Sequence, residues 1–460
     1  MSTAYSRRLT MGLGVTALVA ALFSAGAAVP LADRTGELRL LIASAGALAA
    51  LALLFAMPIR ALGPFALTVT LLIPSEATVL PHVLQGSALG AVPLAVWLVR
   101  APGARRSPGF VRLLAVALGM WLALSSALAP FHTHRGSEWL VTAAIAFVVV
   151  LSSPPQGLDR EALRRLFLGI VTVLAAYAVL EGLVLHHNPL FSSLFDQTPW
   201  WKAEHDAVSY RVTGLLGHPL FNGLVFSSAA VLAASELLRG SGRPALALGR
   251  LALLVMATDV VHSRGASIAL AVGVLALIAT GSRREPGRGR RRLLLTICLL
   301  VAATLLLAGL HTRDESAQGQ KSAQVRVATL TRAKQALSMA GPFGAGPGQS
   351  DAYRHVNDLP GSGTALENSY AELAVSLGVV GLLLVALPLL SVVAIGLRND
   401  AVAGEAAALL TILVAMAGFN AIEGHKPTMI LIALLCISIL TAPRVRSAGR
   451  STAIARSACG

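Results

Sequence analysis

Apolar runs long enough to cross a bilayer recur through this 460-residue chain from Met11 to Thr441, separated by short polar breaks. A helical span needs about 20 mostly apolar residues, and in lipid every backbone N–H and C=O must find its partner within the protein. Closed barrels satisfy that rule with short alternating segments, which this sequence lacks; helices satisfy it within each run. Charged residues make up 13% of the chain, against roughly 25% in soluble domains, and mean hydropathy is +0.72. The expected fold is therefore all-α, a polytopic transmembrane helix bundle of about 12–14 spans. The runs lie near residues 10–31, 38–57, 61–74, 86–100, 110–130, 138–152, 165–186, 217–238, 246–261, 265–281, 292–310, 369–396, 402–420 and 427–442. The first, behind Arg7 and Arg8, also has signal-peptide features, but it exceeds the usual h-region of about 7–15 residues.

The net charge of +15 comes almost wholly from arginine, and its placement argues against nucleic acid as a partner. With a cytoplasmic N-terminus, the inside loops hold Arg60, then Arg100, Arg105, Arg106 and Arg112, then Arg160, Arg164 and Arg165, then Arg239, Arg243 and Arg250. The pattern continues through Arg283–Arg292 and Arg398 to a basic cytoplasmic tail over 443–460. This is the positive-inside rule, with anionic lipid as the natural contact. Cys298, Cys436 and Cys459 offer neither a disulfide framework nor metal-ligand spacing.

The same alternation divides the chain into N-terminal transmembrane helices (1–186), a central transmembrane segment (187–310) with an outer loop over 187–217, a long outer loop (311–368), C-terminal helices (369–442) and the tail. Every inside loop is short, so function is expected on the outside face.

Five arginines stand on that face against the charge rule: Arg211, Arg264, Arg326, Arg332 and Arg354. Arg264, in His262-Ser263-Arg264-Gly265, has almost no loop around it. A guanidinium there is costly unless it snorkels, pairs or binds an anion. A structural pair with Asp259 is one reading; a donor fork for phosphate at headgroup level is the other. The run Gly341-Pro342-Phe343-Gly344-Ala345-Gly346-Pro347-Gly348 lacks the Gly-Lys-Ser/Thr ending of a P-loop and reads as a turn. Before it, Val325 to Met339 has helical periodicity suited to the membrane interface.

At the loop's far end, Thr364 with Glu367 and Ser369 with Glu372 form two overlapping capping-box patterns. Glu367 is then either a first-turn acid favoured by the helix dipole or a general base at the outer mouth of the bundle. His355 and His218 are fallback bases. Phe191, Phe195, Trp200, Trp201 and Tyr210 read as an interfacial belt or a sugar-stacking platform. His186-His187 and His132 with His134 lack the companions of a metal site.

Together these pieces resemble the C-terminal signature of the O-antigen polymerase and ligase superfamily. His262-Ser263-Arg264-Gly265-Ala266 opens a span, Arg326 precedes the glycine-rich run, and Glu367-Asn368 is followed by Gly378-Val379-Val380-Gly381. Arg211-Val212-Thr213-Gly214-Leu215-Leu216-Gly217-His218-Pro219 is similar to that family's central segment. The resemblance implies a GT-C-like glycosyltransferase of the bacterial plasma membrane, multi-pass with both termini cytoplasmic, needing no cofactor or metal. It would take an undecaprenyl-pyrophosphate-linked oligosaccharide to an acceptor glycan or glycolipid, beside polysaccharide-assembly proteins. Arg264 and Arg326 match arginines that hold the pyrophosphate. Glu367 stands where typical ligases have histidine, which favours a polymerase over a ligase. Arg211, Arg332, Arg354, His218 and Tyr370 are the expected substrate contacts. The rival class is a secondary transporter or lipid flippase, whose sites lie near the midplane on paired repeats. Here Glu181, Asp259 and Glu372 lie toward the outer ends of their runs, and no repeat is visible.

Overall fold

The computed structural model describes residues 48–73, 78–80, 84–85, 89–101, 107–190, 212–240, 244–281, 328, 331–357, 359 and 366–443. The first expected span, the first half of the second, and that near 292–310 lie outside the described residues, as do the basic stretch 282–292 and the aromatic loop from Phe191 to Tyr210.

The described chain is helical apart from one small antiparallel ribbon, β1 (Thr78–Leu80) with β2 (Leu84–Gln85). Its helices are α1 (48–56), α2 (Ile59–Leu72), α3 (Ala91–Arg100), α4 (Gly109–Ala127), α5 (His134–Ser152) and α6 (Arg160–Leu185). They continue with α7 (Pro219–Arg239), α8 (Pro244–Val260), α9 (Arg264–Gly281), α10 (331–340) and α11 (Ser350–Val356). The last three are α12 (Ser369–Leu397), α13 (Ala403–Ala415) and α14 (Pro427–Leu440). Five of these are long and apolar enough to span a membrane: α4, α5, α6, α7 and α12. Five shorter apolar helices, α2, α3, α9, α13 and α14, pack among them. The chain is a multi-pass helical membrane protein.

Burial orders the bundle. In α7, 89% of the apolar window is buried, against 28% in α4, so α7 is the central staff and α4 faces lipid. Small residues allow the centre to close up, as expected where packing rather than hydrophobic exclusion drives helix association. A Cβ on Gly223 of α7 would sit 2.9 Å from the Ala266 Cβ and 3.2 Å from the Ser263 Cβ.

The two ends differ in kind. At one end, Arg164 meets Glu161, Glu236 (3.4 Å) and Glu405 (3.9 Å), while Arg239 reaches Glu405 (3.5 Å) and Arg250 reaches Glu236 (3.3 Å). This network ties α6, α7, α8 and α13 together among the loops that carry most of the described arginines. The opposite end gathers residues 129–138, 181–190, 212–222, 341–357, 366–376 and 415–429.

One helix is broken at that second end. Gly378, inside α12, has φ 71° and ψ 173°, a conformation essentially reserved for glycine. The break leaves the carbonyls of Val375, Ser376 and Leu377 without their usual helical partners. The glycine-rich run takes two of them, Ala345 N–H donating to Val375 (2.8 Å) and Gly346 N–H to Ser376 (2.9 Å). The Trp121 indole N–H donates to Leu377 (2.8 Å), and Ser125 holds the run by donating to the Phe343 carbonyl (2.8 Å). The run is thus a docking strip as well as a turn. Gly344 (φ 78°) has no room for a Cβ, which would run into the Ser376 carbonyl.

Gly378→Ala and Gly344→Ala should each lower stability by about 1–3 kcal/mol, the usual cost of a strained backbone position. Thermal unfolding of the detergent-purified protein measures this; Gly249→Ala, with open space at the Cβ, serves as the control.

Candidate functional site

Glu367 lies just ahead of α12 and is partly exposed. The cap that follows differs from the expected Ser369–Glu372 box. Asn368 is the N-cap, its side-chain oxygen accepting from the N–H groups of Tyr370 (3.0 Å) and Ala371 (3.1 Å). Ser369 instead donates its hydroxyl to the Phe419 carbonyl (2.7 Å) and accepts from Ala421 N–H (2.7 Å). Glu372, wholly buried, faces the interior. The box fails because tertiary partners outcompete the local one. Thr364, of the other box, lies outside the described residues.

Arg264 opens α9 and is partly exposed. It follows a tight turn in which His262 adopts φ 53° and stands electrostatically beside Asp259. A Cβ on Gly265 would be 3.5 Å from the Gly418 Cα. The 418–421 segment therefore touches both the residue after Arg264 and, through Ser369, the helix start after Glu367. His218 joins the same segment: its ring stacks on Phe419 with centroids 5.7 Å apart and tilts against His425 at 4.2 Å. Arg211 and Arg326 lie outside the described residues.

The remaining expected contacts have other surroundings. Arg354 is wholly buried and pairs with Asp351 (3.3 Å), with Arg332 and Glu372 as further electrostatic neighbours. Arg332 is partly exposed on α10, whose Ala333 and Ala336 pack with Leu359, Leu366 and Val375 in a small core of their own. The Tyr370 hydroxyl donates to the Leu413 carbonyl (2.5 Å), so the side chain offers ring surface. That ring lines an apolar groove running along α12 with Leu373, Leu382, Val385, Leu413 and Met416. His355 is exposed on α11.

Sequence reading missed the turn Asn420–Lys426. Glu423 is the tie between loop and bundle: it accepts from the Ser350 hydroxyl (2.5 Å) and N–H (3.3 Å) and from the Ser376 hydroxyl. Ser350 starts α11, and Ser376 lies beside the break in α12. Lys426, buried, pairs with Glu138 of α5, which also meets His134 at 3.4 Å. The signal was available. Glu423-Gly424-His425-Lys426 puts charge between two apolar runs with hardly any loop, the same cue that drew attention to Arg264.

Burial controls the electrostatics of this turn. It pushes the Glu423 carboxyl up to about 7, against the opposing hydrogen bonds of Ser350 and Ser376. It pushes His425 down to about 4, leaving the imidazole neutral at physiological pH. Lys426 is lowered by burial, with Glu138 opposing, and Asp351 is raised by burial, with Arg354 and Arg135 opposing. Among the described residues, no group of three His, Cys, Asp or Glu is arranged to hold a metal.

The stretch that carries Arg264, the glycine-rich strip, Glu367 and the break in α12 is also the stretch that compares with known proteins. Residues 248–386 match the family model described as O-Antigen ligase. That part of the chain is similar to the O-antigen ligases, which supports the O-antigen polymerase and ligase superfamily. The match supports a membrane enzyme that transfers O-antigen-type glycan. It leaves out His218 and the Glu423 turn, which only tertiary packing brings to the matched segment. No curated protein matches the chain.

The Glu423 carboxyl has a native value of about 7, above its ordinary 4.5, so protonation favours the folded form. Its contribution is fully present below pH 4.5 and is lost as pH rises through 7. The thermal midpoint in detergent should therefore drop between pH 5.5 and 8 in the wild type and drop less in Glu423→Gln; equal slopes would contradict the assignment.

Proposed function

We propose that the chain transfers glycan from an undecaprenyl-pyrophosphate-linked donor to an acceptor sugar hydroxyl, on the extracytoplasmic face of a bacterial plasma membrane, as a polysaccharide polymerase. The observation that carries this reading is the convergence of the Arg264 turn and the helix start after Glu367 on one segment, 418–421, within and beside the family match. The end where they meet is opposite the arginine network at Glu236 and Glu405. Under the positive-inside rule that arginine-rich end is cytoplasmic, so the Glu367 end faces outward.

The reaction is a single displacement. Glu367 takes the proton of the acceptor hydroxyl, whose oxygen bonds to the anomeric carbon as the bond to pyrophosphate breaks and its electron pair leaves with the phosphate. The configuration inverts. Arg264 and Arg326, assisted by Arg211, neutralise the charge growing on the departing pyrophosphate, so the reaction runs without a metal. The apolar groove from Tyr370 along α12 suits the hydrocarbon tail of the donor. A carboxylate at position 367, where typical ligases carry histidine, accepts a proton but cannot serve as the same cation, which favours chain polymerisation over transfer to a lipid core.

Purified protein given a polyprenyl-pyrophosphate oligosaccharide and a chelator should yield a ladder of products. Glu367→Gln should lose about 10²–10⁴ in rate, the usual contribution of a general base. Arg264→Ala and Arg326→Ala should each lose about 10²–10³, by analogy with the loss of one charge-stabilising donor. A single product in place of the ladder would indicate a ligase. Donor binding without pyrophosphate release under any acceptor would replace the enzyme with a transporter.

A further inference from the structure

Glu181 is wholly buried at the start of a π-turn (Glu181–Leu185) that ends α6. Such turns inside or at the end of helices are frequent at functional sites. Its carboxylate accepts from the Thr213 N–H (2.8 Å), the Thr213 hydroxyl (3.2 Å) and the Gly214 N–H (3.0 Å). Around it, Asn188 donates to the Thr213 hydroxyl and to the Gly214 carbonyl, both at 2.7 Å, and Tyr177 donates to the Asn188 side chain at 2.7 Å. Asn222 donates to the carbonyls of Thr213 (2.5 Å) and His218 (3.1 Å). A segment without regular secondary structure is therefore held at both N–H and C=O groups by side chains from the π-turn, the stretch just after it and α7. Gly214 itself has φ 53° and no room beside Asn222.

We infer that Glu181 is a positioning residue: it fixes the 213–218 segment so that His218 stands on the Phe419–His425 ring pair at the mouth of the site. This deepens the transfer reading and rests on it for its consequence in catalysis. Buried groups whose own hydrogen bonds are complete hold a neighbouring side chain within the narrow tolerance that a reacting site needs. The π-turn aims the Glu181 carboxylate at the amides, and the two glycines with left-handed φ, Gly214 and Gly217, let the chain turn back toward α7. Glutamine in place of Glu181 would set an NH₂ group against one of the two N–H donors, so the segment would lose its grip with little change in volume.

The test uses the full chain in detergent with histidine labelled at the ring carbon, the His218 signal being assigned by its absence in His218→Asn. In Glu181→Gln the His218 signal should shift, while kcat/KM for the lipid-linked donor falls about tenfold or more and the thermal midpoint stays within a few degrees of wild type. An unmoved His218 signal in folded Glu181→Gln overturns the inference whatever the activity. A shifted signal with wild-type kcat/KM overturns the catalytic consequence. If wild type transfers from no lipid-linked donor, the transfer reading fails, and a shifted signal still establishes the positioning of His218. Should Glu181→Gln fail to fold, Thr213→Val, which removes one donor to Glu181 and one acceptor for Asn188, carries the same two readouts.

Discussion

A broken helix organises the site end of this protein. Inside a membrane bundle, carbonyls released from a helix must be satisfied by protein, because lipid supplies no donors. The break at Gly378 frees those of Val375, Ser376 and Leu377, and the glycine-rich strip and Trp121 answer them. The strip has to come close to do so, which is why Gly344 cannot carry a side chain. The loop that carries Arg332 and Arg354 is thereby fixed to the helix that starts just after Glu367. Glu423 adds a second tie a few residues away, through Ser350 on the loop side and Ser376 on the helix side.

The site end and the arginine-rich end are both dense in charge, but they use it differently. At the arginine-rich end, Arg164, Arg239 and Arg250 share Glu236 and Glu405; breaking one partner out of such a buried group leaves an uncompensated charge. At the site end, buried acids are gathered together: Glu372 and Glu423 are neighbours, with Asp351 and Arg354 beside them. A carboxyl raised to about 7 and an imidazole lowered to about 4 are what burial without full compensation produces. Perturbed groups of that kind concentrate where chemistry is done.

The resemblance and the family match agree over residues 248–386, and the resemblance alone extends back to the segment at Arg211. The half of the chain before Arg211 is legible only as hydropathy and charge. Its contribution to the site is nevertheless direct: Thr133 donates to the Gln349 side chain (2.9 Å), Glu138 pairs with Lys426, and Trp121 caps the broken helix. These contacts span hundreds of residues, and no local pattern announces them.

What the sequence determined by itself is what depends on local composition. Apolar run length made the chain a helical membrane bundle, arginine placement separated its two ends, Arg264 and Glu367-Asn368 stood out as polar features at the edges of apolar runs, and the glycine-rich run stood out by its glycine and proline content. Tertiary structure decided which of those features meet. Ser369 reads as half of a capping box, yet its hydroxyl is taken by Phe419 and Ala421. The glycine-rich run reads as a turn, yet it serves as the hydrogen-bonding partner of a helix whose break at Gly378 is no plainer in the sequence than any other glycine. Glu181 reads as a charge near a span end and Glu423 escaped the sequence reading, yet each is buried and holds a segment remote in sequence. The reason is common to all four: a hydrogen-bonding group goes to whichever partner burial brings within about 3 Å, and burial is set by the packing of the whole bundle.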